Sequence, residues 1–332
     1  MNPSRLAPWL LIAALITTPT ALAQAPVPGA PAATPPASAA LATPVRPPSP
    51  VSGMRNKISA GDLLSAESIL EVHRARNGED GPALVGLSWL ARGALLLGEP
   101  VKAQRYATEV REKSAQRIAA GADITKDHDL EYALGSAIEV EAQLIERKQG
   151  ARKATAFVRA ELTRQQKPAS LRTRLHKRLA MLSLEGSPAP EIVAEDFVGD
   201  PPPTLASLRG KPVLLFLWSE SCSDCKAQAA ALAAVTARHA ATGLQLIALT
   251  QYYEDDAAAR ITEKARVDSV WKDVYQGVGN AKVVLSNESM MRYGGSSTPT
   301  LVFIDRAGVV RRYTPTRLTE AELDRAVTAL LR

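Results

Sequence analysis

Cys222 and Cys225 are the only two cysteines in a chain of 332 residues, and they stand as Cys-Ser-Asp-Cys. Two thiols at this spacing can close a disulfide across one helical turn. The apolar run at 213–218 just before them reads as a buried strand, and the Ala-rich run at 223–241 reads as a helix. Cys222 therefore falls at a helix N-terminus, where unpaired N–H groups and the helix dipole favour a thiolate. Cys225 lies one turn further in. This placement expects Cys222 to attack and Cys225 to resolve the mixed disulfide. An inert pair or half of a metal site is the other reading of a lone C-x-x-C. Two cysteines cannot fill a tetrahedral zinc site. His239 is the nearest downstream histidine and no second follows at finger spacing, while His73, His128 and His176 lie far upstream. No metal is expected, and no cofactor other than the Cys222–Cys225 couple itself. A disulfide-rich scaffold is excluded by the cysteine count.

The charges around the pair should tune it. Glu220 and Asp224 place carboxylates beside Cys222, both expected to be solvated, and oppose thiolate formation. Lys226 pulls the other way from a solvated helix position. A second motif lies about 75 residues downstream. Gly295-Ser296-Ser297-Thr298-Pro299-Thr300 runs directly into the apolar stretch 301–304. Alone, Thr298-Pro299 would be an ordinary turn.

The elements that must hold these groups follow from the pattern of apolar residues. From Gly186 onward short β-type runs (213–218, 244–250, 283–285, 300–305, 309–313) alternate with helical ones (223–241, 254–274, 288–293, 318–331). Arg306-Ala307-Gly308 joins the last two strands as a hairpin. Such alternation predicts a central sheet with helices on both faces. Residues 53–185 differ. Apolar residues recur at helical spacing, as in Leu84, Leu87, Leu90 and Leu95. Breaks at 78–82, 98–100, 121–127, Gly150 and Pro168 give about six helices. Ala91 and Ala103, and again Ala142 and Ala154, stand 12 apart across a turn. That spacing suits a tetratricopeptide-type pairing or a plain helical bundle. Residues 147–178 carry eleven Lys or Arg against the single acid Glu161. They form either solvated helix faces or a docking surface for an acidic partner or anionic lipid.

The two motifs, in this order, resemble the thioredoxin fold, in which a Thr-Pro or Val-Pro precedes the last hairpin. The resemblance implies a cis Thr298–Pro299 peptide beside the disulfide, with Thr298 and Pro299 holding the substrate backbone and Trp218 packing under the site. Ala189-Pro190-Glu191-Ile192 and the run from Leu205 to Phe216 are similar to the opening of the TlpA/ResA-like family, extracytoplasmic relatives of the alkyl-hydroperoxide-reductase/thiol-specific-antioxidant group. The extra helix at 254–274 fits the same family. The resemblance covers residues 188–332 and implies a thiol–disulfide oxidoreductase acting reductively on protein thiols or disulfides, served by an extracytoplasmic electron donor or acceptor. Three positions depart from it. Phe216 stands where thioredoxin has a buried acid, Gln228 where ResA-like members have a Glu, and Ser223-Asp224 where Gly-Pro or Glu-Pro is usual. A buried proton acceptor near Cys225 is therefore missing from both positions where the resemblance expects one. A non-catalytic scaffold, with a structural disulfide and a helical docking domain, is the rival reading.

The N-terminus bears on where the couple works. Arg5 is the only charge in the first 23 residues, residues 10–16 are apolar, and Ala21-Leu22-Ala23 is a small-x-small site. Residues 1–23 read as a signal peptide and the Pro/Ala-rich residues 24–52 as a flexible linker. Residues 53–185 form the helical domain and 186–332 the thioredoxin-like domain. An uncleaved leader would anchor the chain, but Pro8 and Pro19 leave the run short for a span. Hydrophobic residues at 46% and charged ones at 22% exclude both a multi-span membrane protein and a disordered chain. A net charge of +6 over this length does not imply nucleic-acid binding. The expected outcome is a periplasmic chain beginning at Gln24. N-terminal sequencing of the protein from a periplasmic fraction checks it, and Met1 retained on membrane-bound material contradicts it.

Overall fold

The computed structural model describes residues 49–331. The expected leader, its cleavage site and the linker up to residue 48 lie outside the described residues.

Seven helices fill residues 51–183: α1 (Val51–Ser59), α2 (Leu63–Asn77), α3 (Gly81–Leu96), α4 (Pro100–Ala119), α5 (His128–Gln149), α6 (Ala151–Arg164) and α7 (Ala169–Ser183). This is one more than the breaks suggested. The missed break is Ala60-Gly61-Asp62, where Gly61 takes φ +79°. The Asp62 carboxylate accepts the Ser65 N–H and caps α2. Helix α1 also starts two residues inside the stretch read as linker. Asp80 and Asp127 cap α3 and α5 in the same way. Helix α3 is apolar nearly all round, with twelve of its sixteen residues buried, so it forms the centre of the helical half. Ala91, Ala103, Ala142 and Ala154 are all fully buried, where small side chains let α3 approach α4 and α5 approach α6.

The basic stretch 147–178 is not one open surface. The Glu161 carboxylate, almost fully buried, accepts from both guanidinium nitrogens of Arg111 at 2.9 Å and pairs with Arg164. Arg172 donates to the carbonyls of Leu162 and Gln165. Arg178 pairs with Glu146. Glu139 on α5 binds Arg92 on α3 at 2.8 Å and Arg174 on α7 at 2.7 Å. Most of α7's positive charge is thus consumed inside the protein. The cations left exposed are mainly on α6 and at its flanks, among them Arg152, Lys153 and Arg159.

The second half is the expected thioredoxin fold. It comprises β1 (Asp196–Val198), β2 (Val213–Leu217), α8 (Ser223–Arg238), β3 (Gln245–Thr250), α9 (Ala257–Val274), β4 (Lys282–Leu285), α10 (Asn287–Arg292), β5 (Thr300–Ile304), β6 (Val310–Thr314) and α11 (Glu320–Leu330). The sheet order is β1-β4-β3-β2-β5-β6. β2, β3 and β4 run parallel, and β5, β6 and β1 antiparallel to their neighbours. Strand β1 is absent from the β-type runs read in the sequence, because three half-buried residues at an edge leave too short a periodicity to detect. β2 is buried along its whole length, and its side chains alternate between two cores. Leu214 and Phe216 enter the core under α8 and α11. Val213, Leu215 and Leu217 face the opposite core, which contains Ala180 and Leu184 from α7 and its C-cap.

Helix α7 therefore belongs to both halves. Beyond its end, the Gly186 N–H donates to Val310 O at 2.8 Å, and the Tyr313 N–H donates to Glu185 Oε1 at 2.8 Å. At Gly294, φ +67°, an added Cβ would lie 2.2 Å from Lys177 Cα. Only glycine permits the loop after α10 to press against α7 so closely.

Burial pushes the Glu139 carboxyl up, but hydrogen bonding and charge from Arg174, with Arg92, outweigh it and hold it below the ordinary range. A depressed carboxylate contributes stability above its unfolded value of about 4.3 and loses it as pH falls through the lower folded value. Glu139→Gln should cost about 2 kcal/mol near neutrality, less than a fully buried pair because Arg92 is part-exposed. The gap to wild type should narrow at a pH below about 4.3, the unfolded value, as the carboxylate protonates through its lowered folded value. Urea unfolding at both pH values checks this.

Candidate active site

Cys222 and Cys225 form a disulfide, with Cα atoms 5.2 Å apart. Cys222 is the N-cap of α8, and its Sγ accepts the Cys225 N–H at 3.0 Å. Helix initiation thus places one orphan amide on this sulfur, where it would stabilise a thiolate. Cys222 is part-exposed and Cys225 fully buried. An attacking sulfur can reach only Cys222, and the buried partner lies in position to displace whatever Cys222 binds.

The Thr298–Pro299 peptide is cis. The Thr298 carbonyl oxygen lies 3.5 Å from Cys222 Sγ, so the two motifs meet. The pairing of β2 with β5, Leu217 opposite Thr300, brings them together from 76 residues apart. Of the two residues expected to hold the substrate backbone, only Thr298 reaches the surface, and Trp218 packs under the site. Pro299 is buried and Trp218 has no exposed area, so neither presents a face to a partner. Trp218 instead belongs to the core cluster that contains Cys225 and against which Cys222 packs. Its ring lies 5.3 Å from that of Trp271 and 5.2 Å from that of Tyr275, and the latter two stack at 4.6 Å. The trio forms a rigid aromatic floor.

The flanking charges divide. Glu220 is not solvated as expected. Only 18% of its side chain is exposed, and it pairs with Arg266 Nε of α9 at 3.0 Å. Its charge is balanced there instead of repelling Cys222. Asp224 is 70% exposed, with Arg317 no nearer than 3.9 Å, and remains the carboxylate next to the couple. Lys226 is exposed, in keeping with a solvated position.

Sequence reasoning missed the groups that fix the surrounding loops. The buried Glu263 carboxylate accepts the N–H groups of Tyr253 (2.9 Å) and Glu254 (3.2 Å). Helix α9 thus anchors two loops, through Glu263 and through Arg266. Lys177 on α7 donates to Ser297 Oγ at 3.1 Å, beside Thr298. Burial first, then the Arg174, Arg92 and Arg178 charges, hold the Lys177 ammonium below its usual range despite Glu139. The one local signal for this contact is the Gly294-Gly295 pair, since adjacent glycines permit a close backbone approach without naming its partner.

The departures from the family pattern are plain in three dimensions. Phe216 is fully buried, its ring 5.8 Å from that of Tyr275. Gln228 is fully buried, and its Oε1 accepts the Leu318 N–H at 2.8 Å. A neutral amide thus occupies the position one turn beyond Cys225.

The model of the AhpC/TSA family matches residues 186–313. No curated protein matches the chain. Among solved structures, the chain is similar to a putative thiol:disulfide interchange protein DsbE from Chlorobium tepidum. The two are 19% identical with a TM-score of 0.36, over 45% of this chain and 98% of that one. It is also similar to a secreted Mycobacterium tuberculosis disulfide oxidoreductase, homologous to E. coli DsbE. There the identity is 22% and the TM-score 0.31, over 38% of this chain and 86% of that one. The matched segment contains the C-x-x-C, the Thr298–Pro299 loop and the strands that bring them together.

The exposed Asp224 carboxylate opposes a Cys222 thiolate. Asp224→Asn should lower the Cys222 pKa by less than about one unit, because solvent and salt screen the charge. A more stable thiolate stabilises the reduced form, so the couple should become more oxidising. Thiolate absorbance against pH, with a glutathione titration, checks both signs.

Proposed function

We propose that this chain is an exported thiol–disulfide oxidoreductase of the TlpA/ResA-like type, working reductively on protein cysteines outside the cytosol. The observation that carries the reading is the seat of Cys222. Its reachable sulfur caps a helix, accepts an amide, faces the Thr298 carbonyl and is backed by a buried resolving cysteine.

In the reductive direction the Cys222 thiolate attacks one sulfur of a substrate disulfide. A mixed disulfide forms and the other substrate sulfur leaves as a thiolate. Cys225, as its thiolate, then attacks Cys222 Sγ, restoring the Cys222–Cys225 disulfide and releasing the second substrate thiolate. Two electrons pass to the substrate, and both released thiolates take protons from solvent. A dithiol donor outside the cytosol must reduce the couple for the next cycle. Thr298 lies beside the substrate sulfur in this scheme, Trp218 and Pro299 support it from within, and no further cofactor takes part. The leader pattern supports export. The exposed cations of α6 are the part of the basic stretch left for an acidic partner.

Phe216 and Gln228 favour a second reading, a scaffold with a structural disulfide, since neither can accept a proton for Cys225 as a carboxylate would. Titration against glutathione ratios separates the two, because a structural bond stays oxidised under mild reduction. For the oxidoreductase, Cys222→Ala should abolish insulin reduction, whereas Cys225→Ala should accumulate mixed disulfides with partner proteins. Activity assays and non-reducing gels check this. Equal trapping by both single variants contradicts the assignment.

A further inference from the structure

A groove of about 510 Å³ opens beside the couple, and its walls come from both halves of the chain. One wall is the first turns of α7, with Ala169, Ser170 and Thr173. The opposite wall is the loop before β5, with Ser296 and Thr298, and Met291 of α10 contributes between them. Gln251 and Tyr253, from the loop that Glu263 anchors, close the third side. The volume falls within the range of sites that enclose ligands, about 300–1,000 Å³. Thr298 connects the groove to the chemistry, because its carbonyl lies 3.5 Å from Cys222 Sγ.

Three observations make this a built feature. The α7 wall is pinned by Lys177 on Ser297, by Gly294 pressed on the α7 backbone, and by Ala180 and Leu184 in the sheet core. The third side is fixed by a buried carboxylate. Tyr253 is 56% exposed at the groove, while Phe216, Trp218, Tyr275, Tyr293 and Phe303 are all buried. An exposed aromatic on a fixed loop is the side-chain type that anchors partners.

We propose that α7 makes the helical half part of the substrate site, so that the groove receives an extended cysteine-bearing segment of a partner protein and delivers its sulfur to Cys222. The inference rests on the oxidoreductase reading and adds to it a specificity wall. The α7 wall presents a methyl and two hydroxyls, and the rest of the groove adds amides, an aromatic ring and the Glu288 carboxylate. The groove therefore suits segments whose residues next to the cysteine are small, or polar and not acidic. A bulky or cationic side chain on the α7 wall should exclude such a segment, whereas a disulfide too small to extend from Thr298 to α7 should be indifferent to it.

The test uses the full mature chain with Thr173→Trp and Ser170→Arg, and Gln116→Trp on the exposed face of α4 as the control outside the groove. Each is assayed on glutathione disulfide and on a synthetic ten-residue peptide carrying one cysteine as its glutathione mixed disulfide. The ratio of peptide to glutathione kcat/KM should fall about tenfold for the two groove variants, mainly through KM, and stay at the wild-type ratio for Gln116→Trp. A variant that merely misfolds lowers both rates together and leaves the ratio unmoved. An unchanged ratio in both groove variants, in a chain that exchanges with both substrates, overturns the α7 wall alone. A wild-type chain that exchanges with neither substrate overturns the oxidoreductase reading, and the wall with it.

Discussion

One sulfur atom sets the terms for this structure. Cys222 Sγ sits between the Cys225 N–H at the start of α8 and the Thr298 carbonyl before β5. One is local and follows from helix initiation. The other comes from 76 residues away and exists only because β2 and β5 are neighbours in the sheet. The full burial of β2 and β5, the aromatic floor of Trp218, Trp271 and Tyr275, and the glycine-rich loop before β5 all hold these two backbone groups in place. A chemically reactive sulfur needs such rigidity, because displacements of about 1 Å cost large factors in rate.

The two halves of the chain share more than a linker. Helix α7 is bound to α3 and α5 through the Glu139 carboxylate, which also holds Arg92 and Arg174. The C-terminal end of the same helix joins the core on one face of the sheet, and Lys177 ties the helix to the Ser297 loop. The charged cluster in the helical half is therefore continuous with the loop beside the disulfide. Breaking it would loosen both, because a buried cation without its partner is costly.

Electrostatics around the couple are set by pairing more than by proximity along the chain. Glu220 and Asp224 stand two residues to either side of Cys222, yet Arg266 pairs with one at 3.0 Å while the other is largely exposed, with Arg317 at 3.9 Å. The same holds for the eleven cations of residues 147–178. Many of them satisfy buried carboxylates and carbonyls, and a linear charge count overstates the basic surface.

The thioredoxin-fold half was legible in the sequence because its signals are local and strong. Buried runs such as 213–217 and 300–304, the C-x-x-C at a helix start and Thr298-Pro299 before a strand each announce themselves within ten residues. Helix breaks at Gly78, Gly98 and Gly150 were equally plain, whereas Gly61-Asp62 passed unnoticed inside an apolar pattern that continues on both sides. The sequence could not reveal what depends on contacts between distant segments. Glu220 finds Arg266, Glu263 finds the Tyr253 and Glu254 amides, and Lys177 finds Ser297 only after the sheet and helices are assembled. Likewise, Pro299 was expected to hold substrate, and only packing turned its ring inward. Residue type and spacing determined that a dithiol sits at a helix N-terminus beside a proline loop. Tertiary structure alone decided which neighbours are charged, paired or exposed there, because those properties depend on which chain segments exclude water from one another.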